Sequence, residues 1–259
     1  MSLSPIGSVL AALDERLDRV RAELPAQQAF LSTYRRTTVA VGQHVERGHF
    51  ADAGWVERWD AAFADLYCTA LDRQLAGEPP ARPWRLAFSA PPRLHPLLHV
   101  LLSLNAHVNY DLPQSLLAVV SDEDFADPAT VARRSLDHQR VDGVLASRVA
   151  AEDQALGHDG RRLRDRLLTP VNRLASRRFL REGRQQVWHN TLELQAARLR
   201  GPEAYAARLA ELEVLTAAKI ADLLRPGPVL LRLAVAGFGV TLPPAADPPD
   251  PFWNISPGS

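Results

Sequence analysis

Between Leu94 and Asp111 the chain reads L-H-P-L-L-H-V-L-L-S-L-N-A-H-V-N-Y-D. At about 100° per residue its leucines and valines point in every direction, which predicts a helix buried all round, with an all-α core built about it. Five polar side chains interrupt that apolar surface: His99, Asn105, His107, Asn109 and Asp111. A buried polar group without a partner costs about 1–3 kcal/mol, so something must satisfy them. Helical spacing stacks His107 over Asp111 on one face and Asn105 over Asn109 on another, about 160° away, so the two pairs serve different purposes. The Asn pair is expected to bond backbone of neighbouring helices, because Pro113 disfavours helix at Leu112 and leaves orphan carbonyls at a break there.

Before this run, Val9 to Leu24 reads as a helix ended by Pro25, and Gln28 to Arg47 as one ended by Gly48. Trp55 to Leu75 is amphipathic, with Trp55, Trp59, Phe63, Leu66 and Ala70 spaced three or four apart. The proline-rich run Gly77 to Pro92 is expected to be a surface loop anchored by Trp84 and Phe88. Beyond Pro113, Gln114 to Val120 leads to Asp122, Glu123, Asp124 and Asp127. That cluster superficially resembles the Asp-rich motif of terpene cyclases, but Asp127-Pro128 reads as an N-cap followed by proline at the first helical position. Helices follow at Ala129 to Gln154, Arg161 to Leu180, Gly183 to Arg200 and Pro202 to Leu224, while Val229 to Val240 fits a strand or a short buried helix equally well. The expectation is an all-α, single-domain helical bundle over residues 1–241, with a Pro-rich extended tail over 242–259.

Composition sets limits on partners. The 259 residues are 46% hydrophobic, and 30 basic side chains balance 30 acidic ones, so no net field is available to hold nucleic acid. Cys68 is the single cysteine, which excludes an intramolecular disulfide and a Cys-rich zinc site. With Asp14, Glu15, Arg16, Asp18 and Arg19 where a signal peptide needs an apolar run, a cytoplasmic address is expected. No stretch reaches the roughly 18 apolar residues of a membrane span.

Histidines recur four residues from another potential ligand: His95 before His99, His107 before Asp111, His138 before Asp142, His189 before Glu193. Such a pair places two side chains one above the other, close enough to hold one cation. His107/Asp111 and His189/Glu193 lie in the most apolar surroundings, whereas His138 and Asp142 sit in a polar run expected to be solvated. If the two apolar pairs converge from different helices, His107, Asp111, His189 and Glu193 become ligands of a divalent metal, zinc or iron, with His99 a further candidate. Asp60 or Asp65 would then be an added ligand or base, in a metal-dependent hydrolase or lyase. Without metal, His107 becomes a general acid/base oriented by Asp111, with Asn105 and Asn109 nearby. A pocket of Trp59, Phe63, Tyr67 and Trp188 would then suit cyclisation or isomerisation of a small apolar or amphipathic molecule. In a third reading the polar groups only specify packing in a binding or scaffold protein.

The run His99 to Pro113, H-V-L-L-S-L-N-A-H-V-N-Y-D-L-P, resembles a bacterial family of helical proteins of unknown function with the signature N-A-H-x-N-x-D-L. The aromatic and acidic helix W-D-A-A-F-A-D-L-Y, Trp59 to Tyr67, and the late R-x-x-x-W, Arg184 to Trp188, extend the similarity over most of residues 30–200. The resemblance implies the helical fold and a role for His99, Asn105, His107, Asn109 and Asp111, and it names no reaction. In spacing alone, H-x-x-x-D followed by H-x-x-x-E is also similar to the helical zinc-dependent phospholipases C and single-strand nucleases, although the two pairs here stand too far apart in sequence.

Overall fold

Helices start where the sequence supplies a cap and an apolar stripe together. The computed structural model describes residues 4–156, 183, 185–227 and 229–244, and among these every regular element is helical. Ser4 accepts from the Gly7 amide to begin α1 (Pro5–Glu23), and Pro25 opens the 3₁₀ turn that follows it. α2 (Gln28–Glu46) comes next, and Asp52 caps α3 (Ala53–Leu75) by accepting from Trp55. The loop expected over Gly77 to Pro92 instead contains a short helix, α4 (Arg82–Phe88). Its Pro83 falls in the first turn, where no amide donor is needed, so the proline density does not forbid it. Trp84 and Phe88 are its buried anchors, as expected.

α5 (Pro96–Ala106) is not enclosed all round, since Leu97 is 57% exposed and Leu98, Val100 and Leu101 are only partly buried. It runs in from the surface, and its polar end is the deep end. Nor does the helix break at Pro113. Residues His107–Asp111 form a π-helical turn, in which the Leu112 amide donates to the His107 carbonyl five residues back, and α6 (Leu112–Val119) continues from it with Leu112 in the α region. A proline ring ordinarily collides with the carbonyl four residues before it; the wider turn accommodates the ring and keeps the helix going.

Ser121 caps α7 (Asp122–Ala126), and Asp127 caps α8 (Pro128–Leu156) by accepting from Ala129 and Thr130, which supports the capping reading of the acidic cluster. Asp137 reaches from α8 to accept the Ala51 and Asp52 amides ahead of α3. Residues 185–199 form α9, followed by α10 (Pro202–Leu224) and α11 (Val229–Ala236). Val229 to Val240 is therefore helix only to Ala236, and residues 237–244 form an irregular strap. The helix expected over Arg161 to Leu180 and the tail beyond residue 244 lie outside the described residues.

α1 packs on α2 and α3, α3 on α6, and α4 and α10 on α5. One apolar cluster gathers Leu13, Leu31, Tyr67, Trp84, Leu102 and Ile220; a second holds Trp55, Trp59, Leu112 and Leu116; a third holds Leu117, Leu194, Leu212 and Leu242. The π turn sits where α3, α5, α6 and α10 meet. Among the described residues no helix is long and apolar enough to cross a membrane.

Candidate functional site

The π turn presents His107 and Asp111 to each other. His107 Nδ1 and Asp111 Oδ2 hydrogen-bond at 3.0 Å, and Trp84 Nε1 donates to the same oxygen at 2.9 Å. Both residues are 2% exposed. Burial lowers the His107 pKa and raises that of Asp111; their mutual hydrogen bond opposes both shifts, and Trp84 also helps to hold Asp111 down. The imidazole is therefore neutral at pH 7. When Asp111 is ionised its oxygens can only accept, so Nδ1–H donates to Oδ2 and Nε2 keeps its lone pair. Nε2 is buried and has no hydrogen-bond partner.

Aromatic rings box the imidazole in. Phe63 stacks on its face, centroids 3.6 Å apart and planes 3° from parallel. Tyr34 stands edge-on at 4.8 Å, Tyr67 and Trp84 lie tilted at 5.9 Å, and Phe30 is edge-on at 6.0 Å. Around this box the Tyr34 and Tyr67 hydroxyls and Asp60 Oδ2 are also buried without a hydrogen-bond partner. Burial pushes the Asp60 carboxyl up to about 7. It also raises both phenols, and the Asp60 charge adds to the rise at Tyr34, so both hydroxyls stay protonated donors at neutral pH.

Sequence spacing identified Phe63 and Tyr67 as lining. The other two expected rings, Trp59 and Trp188, face His138 instead, at 5.1 and 6.0 Å. His138 itself is 1% exposed rather than solvated, because α8 turns it inward with Val141 and Val144; the Asp142 side chain lies outside the described residues. Phe30 and Tyr34 were not singled out, although their spacing with Thr38 and Val41 along the buried side of α2 was the available signal. Trp84 was read only as a loop anchor, so its donation to Asp111 was missed.

The remaining candidates are placed elsewhere. Asp65 is exposed on α3. His99 is buried on α5, where burial lowers its pKa against the pull of the Pro91 carbonyl. His189 donates from Nε2 to the Leu242 carbonyl at 2.9 Å, and Glu193 accepts from Arg208 at 2.6 Å. Among the described residues no three of His, Cys, Asp and Glu gather as a metal site. His107, Asp111, His189 and Glu193 are thus not brought to one point, because α9 engages its His189 and Glu193 with the strap and α10.

The Asn pair forms the opposite face of the turn. Asn109 Nδ2 donates to Asn105 Oδ1 at 3.1 Å and to the Phe238 carbonyl at 3.2 Å, while Asn109 Oδ1 accepts from the Val240 amide at 3.3 Å. Asn105 donates to Leu101 of its own helix at 3.0 Å. The partner is therefore the strap rather than carbonyls orphaned at a break, since the helix does not break.

Over residues 6–226 the chain matches a family described as Family of unknown function (DUF5995), and it belongs to that family. No curated protein and no solved structure matches it.

Proposed function

We propose that this family member is a small-molecule enzyme working by metal-free general acid–base catalysis, isomerising or cyclising a small, largely apolar substrate in the cytoplasm. The observation that carries the reading is His107 Nε2: a neutral imidazole nitrogen, buried without a partner, whose ring is held at its other nitrogen by Asp111. A general base needs that combination of a free lone pair, a fixed tautomer and a pKa kept from rising. Asp60, near 7, is the matching acid, and the Tyr34 and Tyr67 hydroxyls are donors for an oxygen that gains negative charge. The stacked Phe63 ring is only partly buried, whereas the other four rings of the box are buried, so it is the wall through which a substrate reaches the imidazole. A zinc or iron centre has less support, because His189 and Glu193 are engaged by Leu242 and Arg208.

The test is untargeted turnover. Purified wild-type chain and His107→Gln are incubated with a fractionated small-molecule extract in chelating buffer and followed by mass spectrometry. Wild type is expected to convert at least one compound that the variant converts about 10²–10⁴-fold more slowly, with near-UV circular dichroism unchanged. Conversion that vanishes in chelator, or that survives the substitution, removes the reading.

A further inference from the structure

We infer that the face formed by the π turn and α9 is a binding groove for an extended peptide segment of the pattern Gly-x-x-Leu-Pro, that this chain's own residues 239–243 are its occupant, and that their docking latches the turn carrying His107 and Asp111. The recognition is made through main chain. Asn109 brackets the Phe238 carbonyl and the Val240 amide at 3.2 and 3.3 Å. Asn190 repeats the bracket two residues on, donating to the Val240 carbonyl and accepting from the Leu242 amide, both at 2.9 Å. His189 takes the next acceptor on that edge, the Leu242 carbonyl, at 2.9 Å, and Arg208 bonds the Pro243 carbonyl. A carboxamide offers one donor and one acceptor side by side, so each Asn side chain substitutes for a residue of a neighbouring strand. Two such amides in register two residues apart recognise an extended backbone as an added strand would, in a fold whose described residues contain no strand.

Side-chain selectivity is superimposed on that ladder. A Cβ built on Gly239 would stand 1.4 Å from Gln186 Oε1 and 2.6 Å from its Cδ, so glycine fits beside Gln186 as it lies, and any larger side chain must swing the end of Gln186 aside. Leu242 is wholly buried against Leu117, Leu194 and Leu212, an anchor pocket three residues on. The latch follows from Asn109, which lies inside the π turn between His107 and Asp111. A π turn holds one residue more than an α turn, and the strap's bonds to Asn109 favour the wider form that sets the His107–Asp111 pair.

The test uses the full chain with Leu242→Asp, which puts a carboxylate into the anchor pocket, and with Asn190→Ala, which removes one bracket and leaves the core intact. Release of the strap is expected to reduce hydrogen-exchange protection of the Val240 and Leu242 amides by at least about tenfold and to move the ¹⁵N signals of His107. A fluorescein-labelled peptide of residues 236–244 should then bind Leu242→Asp, whose groove is intact, at least about tenfold more tightly than it binds the wild type or Asn190→Ala, which lacks one bracket, and more tightly than the same peptide with Gly239→Val. Binding should return the His107 signals to their wild-type positions. A Leu242→Asp variant that takes no peptide, or equal binding by wild type or by Asn190→Ala, would overturn the groove, and indifference to Gly239→Val would overturn its glycine selectivity. Release that leaves the His107 signals in place would overturn the latch.

Discussion

Asp111→Ala should lower the free energy of unfolding by about 3–5 kcal/mol, measured by urea denaturation at pH 7. Asp111 accepts from both His107 and Trp84 in a site where all three residues are at most 2% exposed, so truncation leaves two donors with neither protein nor solvent to receive them. Each unsatisfied group costs about 1–3 kcal/mol, which is a large part of the roughly 5–15 kcal/mol that hold an ordinary domain folded. Asp111→Asn separates architecture from chemistry. The amide keeps the volume, and with its oxygen in the Oδ2 position it still accepts from both Trp84 and His107 Nδ1, so the substitution removes only the charge that would stabilise an imidazolium. A loss of only about 1 kcal/mol is expected, together with a fall in turnover comparable to that of His107→Gln. If Asp111→Asn keeps full turnover, the carboxylate charge does not assist a base at His107, and the pair only ties α4 to the π turn.

How much of this could be read beforehand depended on whether the information is local. The apolar run around Leu102 fixed the deep end of the core, and the spacings of His107 with Asp111 and of Asn105 with Asn109 gave two separate faces, because both follow from helical geometry alone. Trp84 was legible as a buried anchor but its donation to Asp111 was not, since a short helix among prolines owes its existence to packing against α5 and α10 rather than to its own periodicity. The π turn was hidden for a related reason: Pro113 argues for a break, and only the enclosure on four sides makes the wider turn the better solution. His189 and Glu193 had the right spacing for a ligand pair, but which neighbour an α9 face meets is a tertiary fact. That they bond the strap and Arg208 is invisible in residue order. Tyr34 was legible in principle, on the buried side of α2, and carries no motif to set it apart.

Asp60→Asn should stabilise the chain by about 2–4 kcal/mol at pH 8 and leave it within about 0.5 kcal/mol of wild type at pH 4. Asp60 lies on α3 with Oδ2 buried and unpartnered, and burial raises its carboxyl from 3.8 to about 7. The folded chain therefore holds this proton more tightly than the unfolded chain. Below 3.8 both states are protonated and the group makes no difference. As pH rises from there the unfolded chain ionises first, so stability falls until about 7, where the folded group ionises too and the penalty is complete. The interval corresponds to about 4 kcal/mol, and a neutral amide of the same shape never incurs it. Comparing the two proteins at each pH cancels the contributions of His107, Asp111 and the surface groups, which both chains share. The same proton bears on the proposed chemistry, since a carboxyl that ionises near 7 can donate at neutral pH, and the rise it imposes on Tyr34 places its charge close to the imidazole box. Turnover should consequently fall as pH climbs past about 7 in wild type, and that limb of the profile should disappear in Asp60→Asn along with most of the rate. If the two proteins unfold alike at pH 8, the carboxylate is satisfied when charged, and Asp60 is neither a strained acid nor the proton donor of this site.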